Sequence, residues 1–224
     1  MHYVLHYNQI TPYLPYFLGG ALISLELSVL AFCGGMVIGM AGALGRQGGG
    51  RLLSGLIRGY VVFFTNTPQL VQIYVIFYGL PDFGIVLDPF PAVLIGMTLN
   101  AGAYFTEILR AGLASVHRQE IDAAETLGMG RMQMLRHVIL PHVFKVLMPP
   151  LTNQYILMTL GTSMAAIFGV EELTGRAFNV NSTTFRSIEV FTLVAVLYVG
   201  VTFAATAVLA LVGRGLFRAR IPVL

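Results

Sequence analysis

Asn100, Tyr104 and Glu107 follow one another at steps of four and three, which places two hydrogen-bonding groups and a carboxylate on one face of a helix. Arg110 lies three residues after Glu107, a spacing that permits a pair on the same face. That pair is either a structural tie or a carboxylate lining a path, where it would meet the amino group of a solute. A second polar set, Asn153, Gln154, Thr162 and Ser163, sits in another apolar run. Glu26 lies about ten residues into the first apolar run. A carboxylate facing lipid at mid-depth would cost roughly 2.5–3.5 kcal/mol, so Glu26 is expected to face protein. Covalent chemistry finds no support. Ser24, Ser28 and Ser163 have no evident histidine partner, and the five histidines show no metal-ligand spacing with carboxylates. Cys33 is the single cysteine and lies in an apolar run, which excludes an internal disulfide and a cysteine metal cluster. Together these side chains suit passage of a small polar molecule, with no metal and no cofactor held by the chain.

The elements that must position them are membrane helices. The 224 residues are 56% hydrophobic and 10% charged, against about 25% charged in a soluble domain. So little charge cannot cover a globule in water, and lipid must be the solvent for much of the surface. Five apolar runs are long enough to span, at about 17–44, 54–80, 90–114, 141–168 and 188–213. The fourth is the least regular, because it carries Pro149, Pro150, Thr152, Asn153 and Gln154. Eleven of the thirteen Lys and Arg fall beside the first loop, the third loop and the tail, the last comprising Arg214, Arg218 and Arg220. The bias of basic residues toward the cytoplasm then puts the amino terminus outside and the carboxyl terminus inside. The net charge of +3 belongs to this pattern and not to nucleic-acid binding. The first run is too long for the core of a signal peptide and has no basic start, so it is read as a retained span. GRQGGGRL at 45–52 lacks the Lys-Ser/Thr of a phosphate-binding loop, so any ATPase must be a separate chain. Residues 1–224 form one transmembrane domain, without repeat or linker.

Residues 117–141, HRQEIDAAETLGMGRMQMLRHVILP, are too polar to span. Ile121, Ala124, Gly128, Met132 and Leu135 recur at steps of three and four, one face of an amphipathic helix with a kink or break at Gly128. Such a helix either lies on the membrane surface or docks a soluble partner. On this face Ala124→Asp and Gly128→Asp are expected to be equally damaging to docking, and Gln133→Asp milder. Gly35, Gly39 and Gly42 form a small-residue face that favours close helix contact within the chain.

This loop resembles the EAA loop of binding-protein-dependent ABC importer permeases. The family pattern is Glu-Ala-Ala, three residues, Gly, nine residues, then Ile-x-Leu-Pro. Here it reads Asp122-Ala123-Ala124, Gly128, Val138, Leu140 and Pro141. Asp for Glu and Val for Ile keep the chemical type. Stretches at 22–32, 60–81, 98–116, 147–164 and 169–174 resemble the polar amino-acid branch, which includes histidine, glutamine and arginine transporters. The chain departs from that branch at Asn66-Thr67-Pro68, where Gly-Thr-Pro is common, and at Leu160-Gly161, where Lys-Asp is common. The loss of the charged pair alters substrate contact or leaves it to a non-identical partner.

The resemblance implies an all-α permease of about five spans in the bacterial cytoplasmic (inner) membrane. It implies a loop that docks a cytoplasmic ATPase dimer, which holds ATP and Mg, through Asp122, Ala123, Ala124, Gly128, Leu140 and Pro141. A second permease subunit, identical or homologous, and an external substrate-binding protein complete the assembly. The chain itself would then catalyse nothing. An ion-coupled secondary transporter is the rival. It would favour broken helices in matching halves, and the sequence shows no matching halves. A membrane-embedded enzyme is a further rival.

Overall fold

A computed structural model describes residues 4–217, with side chains through residue 211; the basic tail (Arg214, Arg218, Arg220) therefore lies outside the described side chains. The described residues form helices and turns, without a strand. α1 covers Leu14–Gly48, α2 Arg51–Thr65 and α3 Gln69–Tyr74, which runs on as a wider turn to Gly79 and a tighter one to Phe83. α4 is Pro89–Ala114, α5 Arg118–Thr126 and α6 Arg131–Met134. α7 is Leu140–Gly161, extended by a tight turn through Phe168, and α8 and α9 are Leu173–Thr184 and Ser187–Phe217.

Three stretches are single helices long and apolar enough to cross a membrane: Tyr7–Gly48, Pro89–Ala114 and Ser187–Leu211. The second expected span, 54–80, is not one helix. Its two arms, α2 and the stretch Gln69–Phe83, meet at 106° across Asn66-Thr67-Pro68. Pro68 disfavours helix at Thr67 and lacks the N–H that would continue the ladder. The fourth expected span begins earlier than 141, because α6 runs into α7 through a π turn at Leu135–Ile139. That widening falls where the ring of Pro141 would crowd the carbonyl of His137, so the proline does not end the helix. The stretch Arg131–Phe168 then meets α8 at 49°.

α1 and α4 form the spine. Small residues on α1 let them touch along their length: a Cβ on Gly35 would lie 2.6 Å from that of Ala101, and Gly39 faces the backbone of Phe105. Thr106 covers Gly42 and Arg46 reaches Glu107. Both members of these pairs rise together in number, so α1 and α4 run parallel. α7 runs against them, with Leu147 over Gly112 and the Tyr155 hydroxyl 3.3 Å from that of Ser28. α9 starts beside the amino-terminal segment, where the His6 N–H donates to Glu189 Oε1 at 2.9 Å. The central core gathers Leu27, Ile73, Met97, Phe105, Met158 and Phe168, from α1, α3, α4 and α7.

Candidate functional site

The loop at 117–141 is two helices and not one. α5 ends in a glycine cap: Gly128 has φ +73°, its N–H donates to the Glu125 carbonyl at 2.9 Å, and the Met129 N–H donates to the Ala124 carbonyl at 3.1 Å. Those two bonds satisfy carbonyls that a helix end otherwise leaves open, and the left-handed conformation is the one glycine adopts without steric cost. The turn resets the helical phase, so the expected single face does not exist. Ala124 is 3% exposed and packs inside the chain, whereas Gly128 is open to solvent with space around it. Asp122 and Ala123 are exposed, as are Leu140 and Pro141 at the head of α7. Leu127 and Met132, 80% and 74% exposed, are the apolar groups the turn presents; periodicity had ranked only the second. Gln133 is not remote from Gly128. It lines the same concavity, with Leu127, Met129 and His137, and its Oε1 accepts the Gly130 N–H at 3.0 Å. His142 Nδ1 lies 3.4 Å from Glu120, a tie between α7 and α5 when the imidazole is protonated.

The polar residues predicted within the spans separate into three groups. Asn100 is buried. Its amide donates to the Phe64 carbonyl (3.2 Å) and to Gln72 Oε1 (3.0 Å), at the break between α2 and α3. Gln72, which the sequence reading did not single out, is equally buried. Glu107 is held between two guanidinium groups, Arg46 from α1 and Arg110 at 2.8 Å on its own helix. Both ends of its carboxylate are thereby engaged, which favours the structural tie of the two sequence alternatives. Thr162 and Ser163 turn back on their own helix, donating to the carbonyls of Thr159 and Leu160. Tyr104, Asn153 and Gln154 make no side-chain hydrogen bond to the described residues, and Tyr104 and Asn153 face out of the subunit. Leu160 is 43% exposed, and Gly161 is half-buried near Gln69.

Contrary to expectation, Glu26 does not face protein. Glu26 is exposed, and the Gly35–Ala101 pairing extended back along two parallel helices sets it level with the first turn of α4. It stands near the end of the helix pair and not at its middle. Glu172 and Glu189 are both 0% exposed. Glu172 accepts from Ser24 Oγ (3.0 Å), the Tyr198 hydroxyl (2.8 Å) and the Gly175 N–H (2.9 Å), which bolts α1, α8 and α9 together. Among the described residues no three His, Cys, Asp or Glu side chains converge as metal ligands.

This arrangement, long apolar helices around a parallel spine with a folded loop at one end, is that of a helical membrane protein. Residues 35–218 match the family described as binding-protein-dependent transport system inner membrane component, and the chain belongs to that family. It is 33% identical over 205 residues to the glutamine transport system permease protein GlnP of Escherichia coli (strain K12), covering 91% of this chain and 94% of that one. It is 38% identical over 174 residues to the L-cystine transport system permease protein TcyB of Bacillus subtilis (strain 168), covering 78% and 74%. It is 35% identical over 212 residues to the octopine transport system permease protein OccM of Rhizobium meliloti, covering 91% and 86%. A crystal structure of an amino acid ABC transporter with histidines superposes with a TM-score of 0.85 at 30% identity, over 95% of this chain and 99% of that one. The MetNI methionine ABC transporter in an inward-facing form shares the fold, with a TM-score of 0.66 at 18% identity. The chain is therefore a permease subunit of an ABC importer.

Proposed function

We propose that this subunit carries a polar amino acid, or a close derivative such as an opine, into the cytoplasm. The support is that relatives covering most of the chain are named for glutamine, cystine and octopine transport. In this reading residues 1–224 form one domain that crosses the bacterial inner membrane five times, each bent pair counting once. The amino terminus is outside and the carboxyl terminus inside. The parallel pairing of α1 with α4 supports the single crossing by α2 and α3, because the chain between them must return to the starting side.

Beneath the membrane, a cytoplasmic ATPase dimer holding ATP and Mg grips the docking loop. Leu127 and Met132 supply apolar contact, and Asp122, Ala123, Gly128, Leu140 and Pro141 surround them. A second permease subunit covers Tyr104 of α4 and Asn153 and Gln154 of α7, which have hydrogen bonds to give. Thr162, Ser163, Asn100 and Glu107 shape that wall from behind. A binding protein delivers the solute from outside, lipid covers the remaining apolar surface, and nucleic acid plays no part.

The test is uptake of labelled amino acids by the reconstituted complex. Expected is uptake that needs ATP on the ATPase side and the binding protein on the other, and that survives collapse of ion gradients. Uptake by this subunit driven by an ion gradient without ATP would establish the secondary transporter instead.

A further inference from the structure

The break between α2 and α3 is closed by its own side chains. Side chains reinforce or replace the ladder at the end of α2: Thr65 Oγ1 donates to the Val61 carbonyl (2.7 Å), Asn66 Nδ2 to that of Val62 (2.8 Å) and Thr67 Oγ1 to that of Phe63 (2.8 Å). The Phe64 carbonyl receives both Gln72 Nε2 (2.9 Å) and Asn100 Nδ2 (3.2 Å). Gln72 Nε2 also reaches the Thr67 carbonyl (3.1 Å) and hydroxyl (2.7 Å). Gln72 and Asn100 are 5% and 7% exposed, and every amide hydrogen they own is committed. Backbone irregularity in lipid survives only where such groups are satisfied inside the protein.

α4 grips both arms of this elbow within two turns of itself. The Tyr60 hydroxyl of α2 donates to the Leu99 carbonyl at 2.6 Å, Asn100 holds Phe64, and Gly96 lies against Ile73 of α3. α4 is also the helix that leads into the docking loop, with three residues between Ala114 and Arg118.

We propose that Gln72 and Asn100 are positioning residues that lock the 106° elbow to α4, so that displacement of α4 by the docking loop moves α2 and α3 as one body. On this account Asn100 does not touch the solute. Both amide hydrogens of Asn100 are given to Phe64 and Gln72, and its loss would break transmission without weakening solute affinity.

The uptake half of the test rests on the transport reading; the hydrogen-exchange half does not. Gln72→Met and Asn100→Leu keep volume and remove the donors. In the reconstituted complex each is expected to lower solute transported per ATP by about tenfold, with KM for the delivered solute within about twofold of unmodified protein. The double variant is expected to be no worse than either single one, since both act through one unit. Amides of residues 66–72 are expected to exchange faster in each variant, while those of α1 are unchanged. A raised KM with intact coupling would make Asn100 a solute contact and overturn the proposal. So would multiplicative losses in the double variant, or unchanged exchange at the elbow. Should either variant fail to accumulate, Thr67→Val removes one partner of Gln72 and is expected to shift both readouts in the same direction; no shift overturns the proposal.

Discussion

Gly128 separates two things that a docking loop needs, a conformation and a surface. Its φ of +73° is costly for any side chain, yet a Cβ there would meet nothing within 4 Å. Loss on substitution therefore reports backbone strain, on the order of 1–2 kcal/mol for an L residue and less for Asn. Retention of the ATPase on co-purification is expected to fall in the order Gly, Asn, Ala, Val, with membrane levels unchanged. If Gly128→Val retained the ATPase as well as the unmodified chain, the turn would not be what the partner reads. Ala124→Asp is a different experiment from the one periodicity suggested, because it buries a charge inside the permease itself. The sequence carried the glycine signal, a Gly just past a polar helix, but apolar steps of three and four continued through it and masked the stop. Glu26 was misplaced for another reason. Position within an apolar run does not reveal how far α1 overhangs α4, so Glu26 looked central, and Glu172 falls outside every apolar run.

Among the elements, the α1–α4 contact was the most legible. Gly35, Gly39 and Gly42 repeat at helical spacing and have one use, close approach, and the structure spends them inside the subunit. A side chain on Gly39 would run into the Phe105 backbone, which cannot swing aside, whereas Gly59 on α2 faces open space. Gly39→Val is accordingly expected to overpack the spine by about 1–3 kcal/mol and to reduce the amount of folded permease in membranes, while Gly59→Val leaves it near normal. Immunoblots of membrane fractions decide this, and equal levels for the two variants would remove the spine from its central place. The elbow was not legible as an elbow. Asn66-Thr67-Pro68 is a turn signal, but the apolar residues on both sides fill a window of spanning length, and hydropathy averages over direction. Gln72 could not be ranked at all, because its value lies in carbonyls that only the bend leaves open.

For the whole molecule the sequence supplied the number of apolar runs and a charge bias, and the structure supplies relative direction. α1 and α4 are parallel, α7 runs against both, and α9 starts on the side where α1 starts. Those directions alternate along the chain only if α2 and α3, despite the bend, together make one crossing. The bend itself allows another outcome, in which the two arms dip into one leaflet and return, placing the α1–α2 and α3–α4 connections on the same side. That outcome would set α4 antiparallel to α1, against the Gly35–Ala101 and Arg46–Glu107 pairings. Single cysteines at Gly49, Ser115 and Asp88, in a chain with Cys33 replaced, separate the two cases. Gly49 and Ser115 are expected to react with a membrane-impermeant maleimide only from the cytoplasmic side, and Asp88 only from outside. Gly49 adjoins Arg46 and Arg51 and Ser115 adjoins Arg118, so the same labelling also tests the orientation drawn from basic residues. Reaction of Gly49 and Asp88 from one side would refute the single crossing. Reaction of Gly49 and Ser115 from outside would keep the five crossings and invert the molecule, leaving the docking loop out of reach of any cytoplasmic ATPase.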